Sequence, residues 1–185
     1  MPVSVKMGSR VLLWLIVSLV SACNIGTINE SEPARLKLLP PLEGPGALLL
    51  KQKITMGFEG QQQEFLVVSR LQTTNIKIVV LLASGQKLLS MAFNGEQLVV
   101  EGAGADEIPG EEILAMMQFS LWPDASIQRH YQDSKGWALN LSAQQRILKH
   151  QSEPIIKVSY RGSQVEIMNY QRNYSVTVEP LEKSE

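Results

Sequence analysis

From Gly46 onward the chain alternates apolar and polar positions with a period of two. Leu48, Leu50, Ile54, Met56 and Phe58 share one parity, with Lys51, Lys53 and Thr55 on the other, which is the pattern of a strand with one wet face. After a turn at Gly60, Phe65, Val67 and Leu71 alternate with Glu64 and Arg70. Ile76, Ile78, Val80 and Leu82 share the face of a third strand. Leu89, Met91 and Phe93 follow the Ser84-Gly85 turn, and Leu98 to Val100 makes a fifth strand. Asn94-Gly95 between the last two is a strong hairpin signal, since both residues tolerate positive φ. Tight turns between short strands predict an antiparallel meander, not βαβ units.

The period then changes. Pro109 suits the first turn of a helix, and Glu111 and Glu112 suit its positive end. Ile113, Leu114, Met117 and Leu121 make a helical stripe that Met116 and Phe119 broaden. Trp122-Pro123 ends the helix, and a second short turn runs through Ile127 and Tyr131. Strands resume at Trp137, Leu139 and Leu141, then Ile147 and Leu148, Ile156 to Tyr160, Val165 and Ile167, and Tyr174 to Val178. The expected class is mainly β (α+β), with about ten strands in a single curved antiparallel sheet and a helical insertion as its plug or lid. A flat-packed sandwich with a surface helix is the alternative.

The N-terminus is of another kind. Lys6 and Arg10 precede the apolar run Val11–Val20, too short to span a bilayer but of signal-peptide length. Ser21 and Ala22 then stand directly before Cys23, the single cysteine. This resembles the bacterial lipobox, in which the cysteine is acylated and becomes the new N-terminus. The expectation is a signal peptide over 1–22, an N-acyl diacylglycerol on Cys23 and a Pro-rich tether over 23–45. The β domain would occupy 46–180 and a polar tail 181–185. Asn24, where an aspartate would favour inner-membrane retention, points by analogy to the periplasmic face of the outer membrane. Leu36, Leu38, Leu39 and Leu42 leave a second option open for the tether, docking onto the domain.

Composition narrows the function. Hydrophobic residues at 44% and charged residues at 19% suit a packed core. Removing Lys6 and Arg10 with the signal leaves 15 basic against 18 acidic side chains, net −3, which argues against nucleic acid as a partner. The expected attachment is therefore hydrophobic, through the lipid anchor. With Cys23 acylated no disulfide is available. The two histidines, His130 and His150, have no metal-ligand spacing and read as surface residues. Glu111 and Glu112 read as a solvated helix start, because adjacent helical residues do not face each other. No nucleophile elbow or phosphate loop is present. The Asn140-Leu-Ser142 and Asn173-Tyr-Ser175 triplets carry no meaning for a bacterial lipoprotein. An enzyme is not expected, and no cofactor beyond the covalent lipid.

The apolar set Phe65, Val67, Leu89, Met91, Phe93, Met116, Met117, Phe119, Trp122 and Trp137 is core by default. Part of it can instead line a cavity, since flexible, polarizable Met side chains adapt to varied apolar ligands. The stretches GALLLKQKITMGFEGQQQEFLVVSRLQ, GQKLLSMAFNGEQLV and FSLWP, behind a lipobox and a Pro-rich tether, resemble the bacterial lipoprotein family of domain of unknown function 3261. That family is similar to the lipoprotein carriers LolA and LolB. The resemblance implies a half-barrel with a helical lid and an acyl-binding cavity, and members beside aryl polyene genes imply a polyene or acyl lipid. It also implies the lipoprotein-sorting machinery as a partner, and a monomer is the expected state. A lipid-binding carrier is thus one reading, an assembly lipoprotein that binds another envelope protein a second, and an envelope hydrolase the last.

Overall fold

The computed structural model describes residues 34–106, 108–132 and 136–181. By internal contacts the chain divides into Met1–Glu32 and Pro33–Glu185, and the described residues belong to the second unit. The signal peptide and Cys23 lie outside them.

Ten strands form one sheet: β1 (Leu48–Phe58), β2 (Gln61–Leu71), β3 (Ile76–Leu82), β4 (Lys87–Phe93), β5 (Leu98–Glu101), β6 (Trp137–Leu141), β7 (Gln145–His150), β8 (Glu153–Arg161), β9 (Gln164–Asn169) and β10 (Tyr174–Pro180). Between β5 and β6 lie the helices α1 (Gly110–Leu121) and α2 (Asp124–His130). The strand order is β5-β4-β3-β2-β1-β10-β9-β8-β7-β6. Each half of the chain is thus a meander of hairpins, and the halves join where β1 pairs antiparallel with β10, Ile54 opposite Val178 and Met56 opposite Val176. The sheet is open and half-barrel-like, with β5 and β6 as its edges. All ten strands in one sheet excludes the sandwich. Register shifts at Val80/Leu81 and Leu148/Lys149 bend their strands locally.

Alternation keeps one face apolar from edge to edge. Val67 opposes Val80, which opposes Leu89, and on the other side Val176 opposes Ile167, which opposes Val158. At the β4–β5 turn the Asn94 side-chain oxygen accepts from the amides of Glu96 and Gln97, at 2.9 and 2.8 Å, and Gly95 takes a φ of 102°. After β5 the chain passes so close to β4 that a Cβ on Gly102 would stand 2.5 Å from the Leu88 carbonyl oxygen, and its φ is 128°. Only glycine fits there.

Residues 34–45 are not a free tether. Leu39 is buried and Leu36 and Leu38 pack against the core, whereas Leu42 is exposed. The strap is laced to the helices by its own backbone. Leu39 donates its amide to Gln118 Oε1 at 2.8 Å, and Gln118 Nε2 returns a bond to the Leu39 carbonyl at 2.7 Å. Trp122 Nε1 donates to the Pro40 carbonyl at 3.2 Å, and the Lys37 amide donates to the Tyr131 hydroxyl at 2.8 Å. Leu36, Leu38 and Leu39 thus take the docking option that the leucines left open, and main-chain groups add bonds that composition does not show.

Candidate functional site

Helix α1 has two apolar faces. Leu114, Phe119 and the capping residue Trp122 are fully buried with Leu39, Ile127 and Tyr131 in solid core. Phe119, Tyr131 and Trp137 stack edge to face, with centroids 6.1 and 5.1 Å apart. The other face carries Ile113, Met116, Met117, Ser120 and Leu121, and it roofs a cavity of about 410 Å³. Ile54, Met56, Phe65, Val67, Ile78, Val80, Leu89, Val165, Ile167, Val176 and Val178 line the cavity from the sheet, and Leu88, Ile108 and Pro109 close one side. No lining residue is charged; the polar ones are Gln52, Gln63, Ser69, Ser120 and Tyr174. Several walls, including Ile54, Met56, Phe65 and Met117, are only half-buried, so the space communicates with solvent.

Polar groups fix the roof at both ends. Near its start, Glu112 Oε1 accepts from Asn169 Nδ2 and from the Tyr174 hydroxyl, each at 2.7 Å, and Glu112 Oε2 pairs with Arg172 Nε at 2.6 Å. Glu112 is therefore no solvated helix start, as its position beside Glu111 suggested. The sheet supplies a tyrosine and an asparagine where water was expected. Burial, reinforced by the adjacent Glu112 carboxylate, drives the Tyr174 hydroxyl pKa well above its ordinary value. At the C-terminal end, Arg146 donates to the Phe119 carbonyl at 2.8 Å and Tyr160 donates to the Ser120 carbonyl at 2.7 Å. These two satisfy carbonyls that a helix end leaves open, and the arginine complements the negative end of its dipole. Arg146 also pairs with Asp124 at 2.9 Å.

A second polar cluster ties the strap to α2. Glu43 Oε2 accepts from Ser126 Oγ at 2.8 Å and lies 2.9 Å from Arg129 and 3.1 Å from His130 Nε2. His130 is thus half-buried and paired, not the surface residue its sequence context suggested. Desolvation pushes the Glu43 pKa up, but the bonds from Ser126 and His130 and the charges of His130 and Arg129 outweigh it, and the net shift is downward. Serine and histidine converge on the same carboxylate oxygen. Serine therefore donates to the acid and not to the imidazole, which is a clamp and not a nucleophile-activating relay. Among the described residues no group of three or more His, Cys, Asp and Glu side chains is arranged to hold a metal.

Of the ten apolar residues singled out from the sequence, Phe65, Val67, Leu89, Met116 and Met117 line the cavity. The other five take the default reading and are buried in the core. Met91 and Phe93 lie toward the β5 edge, where Gly110 and Leu98 cover them. Phe119 and Trp122 point to the opposite side of α1, and Trp137 opens β6 against Tyr131 and His150. Ile54, Met56, Ile78, Val80, Ile113, Leu121, Val165, Ile167, Val176, Val178 and the polar Ser69 also line the cavity, outside the ten. The strand residues among them showed their parity and Ile113 and Leu121 their place in the helical stripe, but the pairing of β1 with β10 that sets Ile54 and Met56 beside Val178 and Val176 was not visible.

The match to known families spans this sheet and its roof: residues 49–182 match the family described as Protein of unknown function (DUF3261). The chain belongs to that family. The DUF3261 match takes in every strand but the first residue of β1, together with both helices, and leaves out the strap. No curated protein matches the chain.

Proposed function

We propose that this protein is an outer-membrane lipoprotein, acylated on Cys23, whose domain binds a long apolar chain beneath α1 and helps carry or localise it in the cell envelope. The observation that supports this most directly is the cavity: about 410 Å³, apolar on sheet and roof, uncharged, and open to solvent. If sealed and empty, a void of that size would cost roughly 10 kcal/mol at about 24 cal/mol per Å³, comparable with the whole stability of a domain. Water fills such a space poorly, because a buried water needs two or more polar partners. A half-barrel under a helical lid is also the arrangement of the LolA/LolB carriers that the family resembles, and an acyl or aryl polyene chain has the required chemistry. A methylene occupies roughly the volume of a water molecule, about 30 Å³, so the cavity holds about a dozen. Burying a dozen at about 0.8 kcal/mol each gives roughly 10 kcal/mol gross. Association and ordering costs of several kcal/mol leave micromolar binding.

The test is a fluorescent fatty-acid titration of the chain from Asn24 onward, with circular dichroism to show that it is folded. Among the described residues the buried apolar core lies between Leu39 and Tyr174, all of it within this chain. Saturable micromolar binding is expected. A folded domain that takes up no probe at tens of micromolar would refute the carrier reading and leave an assembly lipoprotein with no ligand. The anchor is tested separately, by the loss of membrane fractionation on Cys23→Ser.

A further inference from the structure

Ser69 lies near the C-terminal end of β2, on the inner face, and lines the cavity with 1% of its surface exposed. Its hydroxyl has no hydrogen-bond partner and is covered by its apolar neighbours, so a ligand reaches it only where they part. Its neighbours on that face are Val67 and Leu71 along the strand and Leu50 and Ile78 across it, all apolar. A water placed there would find one polar partner instead of the two or more that hold buried waters. The other polar wall residues differ. The Ser120 hydroxyl already donates to the Met117 carbonyl, the Tyr174 hydroxyl is spent on Glu112, Gln63 is exposed and Gln52 is only half-buried. Ser69 alone among these brings a buried, unspent hydrogen-bonding group to an apolar wall.

We infer that Ser69 is a recognition residue, and that the ligand carries a neutral oxygen partway along its chain, as an ester, amide or hydroxyl group, which pairs with the Ser69 hydroxyl. This rests on the cavity binding proposed above and names its substrate class. An ionised carboxylate or phosphate is excluded from that position, because no cation lines the cavity and burying an unpaired charge is prohibitive. A purely hydrocarbon ligand would leave the hydroxyl unpaired. The class that fits is an acylated or hydroxylated chain whose ionic head, if it has one, stays outside.

The experiment displaces a fluorescent naphthylamine reporter from the chain beginning at Asn24, using methyl laurate, dodecanol and dodecane. It compares wild type, Ser69→Ala and Ser69→Thr. Ser69→Ala should weaken methyl laurate and dodecanol by about twofold to tenfold, the range for one neutral hydrogen bond, and leave dodecane within twofold. Ser69→Thr keeps the hydroxyl and should keep the preference for the oxygenated ligands over dodecane. Ser69→Ala should also melt at or above the wild-type temperature, since no internal bond is lost. Equal effects on all three ligands, or none, would overturn the assignment while leaving the cavity reading intact. A marked loss of thermal stability would do so too, by showing that the hydroxyl has an internal partner. If wild type binds none of the three, the cavity reading fails and takes this inference with it.

Discussion

Replacing Gln118 with methionine tests whether the strap is held by the helix amide or merely lies against it. Gln118 is fully buried, and its two bonds to Leu39 satisfy one backbone donor and one backbone acceptor. Methionine keeps the volume and removes both partners. If the strap stays in place, two buried main-chain groups are left unpaired, at about 1–3 kcal/mol each, for a loss of about 2–6 kcal/mol. If the strap lets go, those groups regain water but Leu39 leaves the core, which costs about 1.5–3 kcal/mol before the Trp122–Pro40 bond is counted. Either route exceeds about 1.5 kcal/mol, and proteolysis tells them apart, because only the second exposes residues 34–45 to cleavage. The assay is urea unfolding at constant m-value, paired with limited digestion. Gln118→Glu adds a signed control. Its carboxylate would face the Leu39 carbonyl, so the charged form is disfavoured in the fold and the folded pKa is raised above the unfolded one. The variant is then most stable below the unfolded carboxylate pKa and loses that stability as pH rises through the folded value. A Gln118→Met chain that loses less than about 1 kcal/mol and stays protected over 34–45 would refute the reasoning.

Met117 is a half-buried wall of the cavity, so Met117→Lys should abolish probe binding with the circular dichroism spectrum retained; unfolding instead would show solid core at that point. An atom at the Cβ position of Gly44 would stand 2.9 Å from the Trp122 ring and 3.1 Å from the Pro41 carbonyl oxygen, so Gly44→Ala should cost about 1–3 kcal/mol in wild type and clearly less, with the carbonyl contact remaining, in a Trp122→Ala background, measured as a double-mutant cycle by urea unfolding. Because its folded pKa lies below the ordinary 4.5, Glu43 contributes stability that is present above that value and lost as pH falls through the depressed one. Protease sensitivity of the strap should accordingly rise below about pH 4.5, and Glu43→Gln should flatten that dependence.

The strands were legible because each turn and each parity is a local signal. Asn94-Gly95 and the alternation of Leu89, Met91 and Phe93 need no knowledge of the rest of the chain. What joins the two meanders was not local. Ile54 and Val178 become neighbours through a pairing across more than a hundred residues, and nothing in either strand names the other. The same limit blurred the site. A broad helical stripe shows that α1 is apolar nearly all round, but not which face meets packed side chains and which meets space. The decision falls to Gln118 and Trp122, whose polar atoms reach the strap and orient the helix. Prolines marked that strap as a linker while its leucines left docking open, and the main-chain hydrogen bonds that fix the docked form leave no mark in composition.

The cavity poses its own mechanical question, since a roof helix with Met116 and Met117 on its lower face would gain by sinking onto the sheet. Closing the space would bury apolar surface that solvent now reaches, and the roughly 10 kcal/mol of a sealed void of that size is the upper limit of that gain. The pins at the two ends of α1 oppose this. Sinking would break the bonds of Glu112 to Asn169 and Tyr174, and those of the Phe119 and Ser120 carbonyls to Arg146 and Tyr160. Four part-buried bonds, at about 0.5–1.5 kcal/mol for the neutral one and about 1.5–3 for each of the three that involve a charge, amount to roughly 5–10 kcal/mol, which is of the size needed to hold the helix off the sheet. The pair Tyr160→Phe and Tyr174→Phe removes one pin from each end and leaves ring volume unchanged. If the pins act as struts, the double variant should bind an apolar probe about tenfold more weakly, as the roof settles, while its unfolding midpoint drops by less than the two lost bonds predict. Each single variant should show about half the effect on a logarithmic scale. A double variant that keeps wild-type probe affinity and loses the full stability of two hydrogen bonds would show that packing of the opposite face of α1, against Leu39 and Tyr131, holds the cavity open without them.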